Sequence, residues 1–206
     1  MGKLNEKFFF DYTRTYLFDG HMSQSQFDGI SGILKLWNDT LATKDDRWLA
    51  YMLATAHHET GRTMQPVRET FAATDEKAIS ILEKAWNAGK LPWVTNPYWR
   101  WDQNHQSWLG RGLVQLTHQA NYKRIGDAVG VNLVADPAAA MNPDVARQVM
   151  VQGMIKGVFT GYTLAQFFNP KKADWKNARR IINGIERADL VASYGLRYYA
   201  AISYTI

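Results

Sequence analysis

The stretch DDRWLAYMLATAHHETG, residues 45–61, organises the chain. An acid at its start, Asp45 or Asp46, reads as a helix N-terminus, and Trp48, Leu49, Met52, Leu53 and Ala56 recur at helical intervals along one face. Gly61 is a natural C-terminal stop, which sets Glu59 in the last turn or just past it. A carboxylate there meets the negative end of the helix macrodipole, and partial burial further disfavours its charge; both suit a general acid. The competing reading is an exposed glutamate at a helix end. The adjacent His57 and His58 leave such a helix in different directions, and Arg62 occupies the place where a zinc protease needs its second histidine.

Working outward, helical patterns fill most of the sequence. Ser23 with Gln26 makes a capping box, followed by Phe27, Ile30, Leu34, Trp37 and Leu41 as a one-sided stripe. A helix is predicted from Thr74 to about Asn87 with Ala78, Ile81, Leu82 and Ala85 inward, and another from about His118 to Val129. Asp136-Pro137 opens a short one, and Asn142-Pro143 starts a longer one with proline in the first turn. Asp174 is expected to cap a helix carrying Trp175, Ala178, Ile181 and Ile182, and a last helix runs from about Ala188 to Ile202. Only Leu113 to Leu116 looks extended. Between Gly89 and Gly110 no period is visible, and Trp93, Tyr98, Trp99, Trp101 and Trp108 lie among polar residues. The segment reads as a long irregular stretch on the surface or as part of a small lobe beside the core.

The chain has 206 residues, 46% hydrophobic and 21% charged, an ordinary globular composition with one expected core. It has no cysteine, so disulfides and thiolate metal sites are excluded and packing alone must hold it. Residues 1–20 do not read as a secretory signal, because Asp11, Arg14 and Asp19 interrupt the run Phe8-Phe9-Phe10. No stretch has the roughly 20 apolar residues of a membrane span. The net charge of +5 suits a polyanion such as an acidic cell-wall glycopeptide, but no basic block marks a nucleic-acid arm.

Glycoside hydrolysis by inversion needs a second carboxylate, set about 6.5–9.5 Å from the first. Glu69 follows Glu59 across a turn-like Met64-Gln65-Pro66 and is the first candidate; its alternative is a surface pair with Arg62 or Arg68. Asp75 and Glu76 are explained by the first turn of their helix. In Gly110-Arg111-Gly112-Leu113-Val114-Gln115-Leu116-Thr117, alternation would put Gln115 and Thr117 on one face, able to hold a water or a sugar hydroxyl.

His58-Glu59-Thr60-Gly61, Gly110-Arg111-Gly112 through Gln115-Leu116-Thr117, Asn121-Tyr122 and Arg180-Ile181-Ile182-Asn183-Gly184 occur in the order and spacing of family 19 glycoside hydrolases. The chain resembles above all the short, lysozyme-like members that bacteriophages use as endolysins, over roughly Trp48 to Tyr199. The resemblance implies a mainly α, lysozyme-like fold with a larger lobe and a small inserted lobe, about residues 70–108, flanking a cleft. It implies Glu59 as acid, Glu69 as base and Thr117 as the residue that positions water. It implies substrate contacts at His58, Arg111, Gln115, Asn121, Asn183 and Glu186, and Tyr98 and Trp101 are the aromatics expected at the glycan. The arginine of the final helix in the chitinases corresponds to either Arg187 or Arg197. The plant-type disulfides and several substrate loops are absent.

The expected activity is cleavage of bacterial peptidoglycan by a monomer that needs no metal or organic cofactor, binds no nucleic acid and does not insert stably in membranes. It would be made in the host cytoplasm and act in the periplasm or wall after release through a holin-made lesion, without a separate wall-binding domain. The alternatives are a chitinase and a silent wall-binding module. A zinc amidase or peptidase lacks the ligand spacing.

Overall fold

The computed structural model describes residues 4–204. In chain order its helices are α1 (Glu6–Leu17), α2 (Gln24–Thr40), α3 (Asp46–Glu59), α4 (Asp75–Asn87), α5 (Gln119–Val129), α6 (Pro143–Lys156), α7 (Leu164–Phe167) and α8 (Ala188–Ile202). Short 3-10 turns lie at Glu69–Phe71, Pro137–Met141 and Asn177–Ile181. Two antiparallel pairs are present: β1 (Val67–Arg68) with β2 (Arg111–Gly112), and β3 (Phe168–Asn169) with β4 (Lys172–Ala173).

The mainly helical architecture is built around α3. Asp45 caps its N-terminus by accepting from the Arg47 amide at 3.0 Å. Every residue from Leu49 to His57 is buried, so α3 is enclosed on all sides and not only along the one expected face. Helix α8 lies against it in the most extensive helix pairing of the fold, Tyr51 close to Gly195, with α2 and α6 packing elsewhere. The capping box of α2 forms as predicted, Ser23 Oγ accepting from Gln26 N at 3.2 Å and Gln26 Oε1 from Ser23 N at 2.8 Å.

The segment after α3 is tied down tightly. Thr60 Oγ1 donates to Ala56 O at 2.7 Å and accepts from Met64 N at 3.0 Å. Gln26 and Gln65 tie the loop to the start of α2 through Arg62 O at 2.9 Å and Ser25 O at 2.6 Å. Gly29 lies so close that an added Cβ would fall 2.1 Å from the Met64 carbonyl oxygen. These contacts fix where the α3 terminus, and with it Glu59, points.

A second, smaller hydrophobic cluster forms the inserted lobe. Ala78, Leu82, Trp99 and Leu109 are its buried centre, ringed by Ala72, Ile79, Trp86, Leu91, Val94 and Tyr98. Trp99 Nε1 donates to Glu83 Oε1 at 2.7 Å, so the fully buried indole is satisfied. The lobe joins the larger one through the β1–β2 pair and a buried ionic strut. Asp75 accepts from Arg68 Nε at 2.6 Å and from Arg111 Nη2 at 2.5 Å. Burial pushes the Asp75 carboxyl up, but the two arginines outweigh it and hold it below its ordinary range.

Several expectations need correction. Leu113 to Leu116 is not extended; it is a tight turn closed by Leu116 N donating to Arg111 O at 2.9 Å and Arg111 N to Leu116 O at 3.2 Å. Gly112 at φ 88° and Gln115 at φ 52° make that reversal, while Leu113, Val114 and Leu116 are buried within it. Gln115 and Thr117 therefore do not alternate along a strand. Asp174 accepts from Asn177 N at 3.1 Å, but no helix starts at Trp175; the 3-10 turn Asn177–Ile181 follows instead, with Lys176 at its N-cap position. Phe27 and Ile81, expected inward, are each 39% exposed. Helix α1 was not expected; its Phe9 and Phe10 belong to the main core.

Candidate active site

Glu59 is the last residue of α3, and its partner comes from the far end of the chain. Arg179 in the Asn177–Ile181 turn donates from Nη1 to Glu59 Oε1. Both side chains are largely enclosed, Glu59 at 13% and Arg179 at 5% exposure, and Arg179 Nε is held by the Glu186 carbonyl at 3.2 Å. Pairing and hydrogen bonding together make such burial of a guanidinium tolerable. Arg179 was not among the expected residues; its neighbour Arg180 is exposed. Half-buried His58 lies within the field of Glu59, Arg179, Arg187 and Glu186, and burial is the main cause that lowers its pKa. His57 faces away, its Nδ1 3.1 Å from Tyr198 Oη, with burial pulling its pKa down to about 3.

Glu69 directly follows β1 and opens the 3-10 turn Glu69–Phe71. Tyr98 donates to its Oε1 at 2.7 Å, and the Gly110 amide donates to its Oε2 at 2.8 Å. The Glu69 amide in turn donates to Gly110 O at 2.7 Å. Both Glu69 oxygens are thus engaged as acceptors. Burial, then the charge and hydrogen bond of Glu69, push the Tyr98 phenol well above its ordinary range, so it keeps the proton it donates. The surface pairing imagined for Glu69 does not form: Arg62 bonds Asp19 and Arg68 bonds Asp75. Gln115 reaches the same place, its Nε2 donating to Val67 O at 3.2 Å and its Oε1 lying close over Gly110.

A groove of about 570 Å³ is walled by Trp93 to Tyr98 and by His118 and Asn183, and Tyr98 links it to Glu69 through their hydrogen bond. Trp93 is 73% exposed there. A concave, polar-edged groove with open aromatic surface is suited to a sugar chain, whose rings have apolar faces and hydroxyl rims. A sequence description of glycoside hydrolase family 19, chitinase class I, matches residues 25–152. The chain belongs to that family.

This family 19 chain is therefore a glycosidase acting on chitin or peptidoglycan, with a glycan polymer as substrate. No curated protein and no solved structure matches it. The matched span includes Glu59, Glu69 and Thr117, whereas Arg179 and Asn183 lie beyond it.

The other expected residues divide by position. Thr117 is half-buried between the β2 turn and α5, and exposed Asn183 lines the groove. Glu186 is exposed at the loop that holds Arg179, to which it offers its carbonyl. Asn121 is half-buried in the first turn of α5, its Oδ1 accepting from Arg124 at 2.5 Å. Trp101 stacks on His105 with centroids 4.4 Å apart and is not among the groove's walls. Trp99 and Trp108 are packing residues, at 0% and 7% exposure. Arg111, expected at the glycan, is 1% exposed. Its guanidinium is spent on Asp75, the Ser107 carbonyl at 2.9 Å and the Tyr122 hydroxyl at 2.9 Å, so it is a structural strut. Of the two arginines set against the chitinases' final-helix arginine, Arg197 donates to Tyr16 O at 2.8 Å and Arg187 precedes α8 on left-handed backbone; Glu59 takes neither as its hydrogen-bond partner.

Proposed function

We propose that this family 19 hydrolase is an endolysin-type enzyme that cleaves glycosidic bonds of bacterial peptidoglycan by acid/base catalysis with inversion. The observation that carries the reading is the unequal treatment of the two carboxylates. Glu59 is anchored through a single oxygen to Arg179 on the large lobe, and Glu69 accepts from Tyr98 and Gly110 where the small lobe begins. With Oε1 held, Glu59 Oε2 is the oxygen that carries the proton to the leaving glycosidic oxygen. Glu69 takes a proton from a water that the Thr117 hydroxyl helps to hold, and that water attacks the opposite face of the sugar. Tyr98, Trp93 and Asn183 line the path of the glycan, with His58, Gln115 and Glu186 around the carboxylates. A net charge of +5 favours an acidic wall glycopeptide over neutral chitin. In this reading the protein works as a monomer, is made in the host cytoplasm and reaches the wall through a holin-made lesion.

Replacing Glu59 with Gln should lower release of reducing ends from purified sacculi by at least about 100-fold, with the circular dichroism unchanged. Residual activity near wild type would overturn the assignment. The second reading, a chitinase, is favoured by the class I description of the matching family. Mass spectrometry of products from sacculi and from N-acetylglucosamine oligomers separates the two: muropeptides support the wall, and cleavage of the oligomers alone supports chitin.

A further inference from the structure

Immediately after Glu69 the backbone takes two consecutive left-handed residues, Thr70 at φ 62° and Phe71 at φ 57°. Neither is glycine, and Thr70 is β-branched, the residue type least suited to that region. Strain of this kind persists only where the surroundings enforce it and is concentrated at functional sites. The Thr70 hydroxyl is also buried without a hydrogen-bond partner among the described residues. Burial of the ring does not account for the arrangement, because the side chain it positions, Phe71, is 62% exposed.

The direction of that side chain is informative. An added Cβ on Gly61 would lie 3.0 Å from Phe71 Cζ and 3.1 Å from Cε1, so the tip of the ring rests on Gly61. Gly61 is two residues past Glu59, and Phe71 is two residues past Glu69. The side chain thus spans from the segment of one carboxylate to the segment of the other, with much of its surface open to solvent. A single exposed phenylalanine is ordinary. One held on strained backbone, bridging two catalytic candidates with its tip on a glycine that offers no side chain to cover it, is placed to be covered by something else.

We infer that Phe71 is a substrate-contact residue, its open surface receiving the apolar face of the pyranose ring that lies between Glu59 and Glu69. The inference rests on the hydrolase reading above and names a residue that neither the motifs nor the groove lining singles out. The ring contributes by burying carbon on carbon, which any flat aromatic supplies and a branched aliphatic supplies poorly.

The test compares wild type with Phe71→Ala, Phe71→Leu, Phe71→Tyr and Phe71→Trp on soluble N-acetylglucosamine hexamer and on sacculi. The same set is built on a Glu59→Gln background and titrated with the hexamer by calorimetry. The expected result is a roughly tenfold rise in KM and in the dissociation constant for Ala and Leu, a factor worth about 1.4 kcal/mol. Tyr and Trp should restore both, and thermal midpoints should be unchanged throughout because the side chain is exposed. Equal KM and equal affinity across the set would overturn the proposal. If wild type cleaves neither glycan but the Glu59→Gln protein binds the hexamer in a Phe71-dependent way, the contact stands and the hydrolase assignment falls. If there is no binding either, both fall.

Discussion

Removing Asp75 should destabilise the protein far more than its surface position suggests. The carboxylate is 17% exposed, but the Arg111 guanidinium it neutralises is only 1% exposed and already has an unpartnered Nε. Asp75→Ala strands a buried positive charge and removes the bonds from Arg111 Nη2 and Arg68 Nε. Stranding a buried ion typically costs about 3–5 kcal/mol; the residual exposure of Asp75 admits water to Arg111, which places this case near about 3 kcal/mol. For a chain of this size each kcal/mol shifts the melting midpoint by roughly 2–4 °C, so a fall of about 6–12 °C is expected. Arg111→Met, which removes the charge and keeps most of the stem, should cost less, and the double variant should be much closer to Arg111→Met than the sum of the two. Urea unfolding of the four proteins measures the cycle. If Asp75→Ala melts within about 2 °C of wild type, or if Arg111→Met raises KM for the glycan while leaving stability untouched, the strut reasoning is wrong and Arg111 belongs at the substrate after all.

Two further outcomes are expected. Tyr98→Phe keeps the ring that walls the groove but removes the donor to Glu69 Oε1, so kcat should drop roughly tenfold with KM little changed if Glu69 is the base proposed above; an unaltered kcat would show that the hydroxyl does not orient Glu69 for the reaction. His57 is buried with its pKa lowered from 6.5 to about 3, so the unfolded chain takes up a proton that the folded one refuses. Stability should therefore be fully present above pH 6.5 and decline as pH falls toward about 3, with His58 acting in the same direction, and His57→Gln should flatten that decline. Calorimetry between about pH 7 and about pH 4.5 reads it; a flat wild-type profile would count against the burial argument.

Much of the helical frame could be read because caps and periods are local. Ser23 with Gln26, Asp45, and Asn142 before Pro143 stand where the caps form, and Gly61 follows the end of α3. The illegible parts are those decided by distant contacts. Arg179 differs from Arg180 only in its position around a 3-10 turn, and nothing nearby in sequence marks which arginine turns inward to Glu59. A hint existed, since a carboxylate at an enclosed helix end requires a cation from somewhere. Arg111 misled in the opposite sense: glycines on either side suggest close approach of a ligand, whereas they serve a tight buried turn. Alternation across Leu113 to Leu116 mimicked a strand because a short buried turn and a short strand are equally apolar. The first helix was obscured by charges that lie on its solvent side.

The enclosure of α3 by α8 has a bearing on when activity can arise during synthesis. The two helices are separated by residues 60–187, and Arg179, the anchor of Glu59, also comes late in the chain. A chain that ends after α7 lacks both the helix that covers α3 and Arg179, the partner of Glu59. Contacts this remote delay completion of the core until the closing helix emerges. Truncation before residue 188 should therefore leave the α3 face that α8 covers open and abolish activity, which circular dichroism and an activity assay of the shortened chain would check.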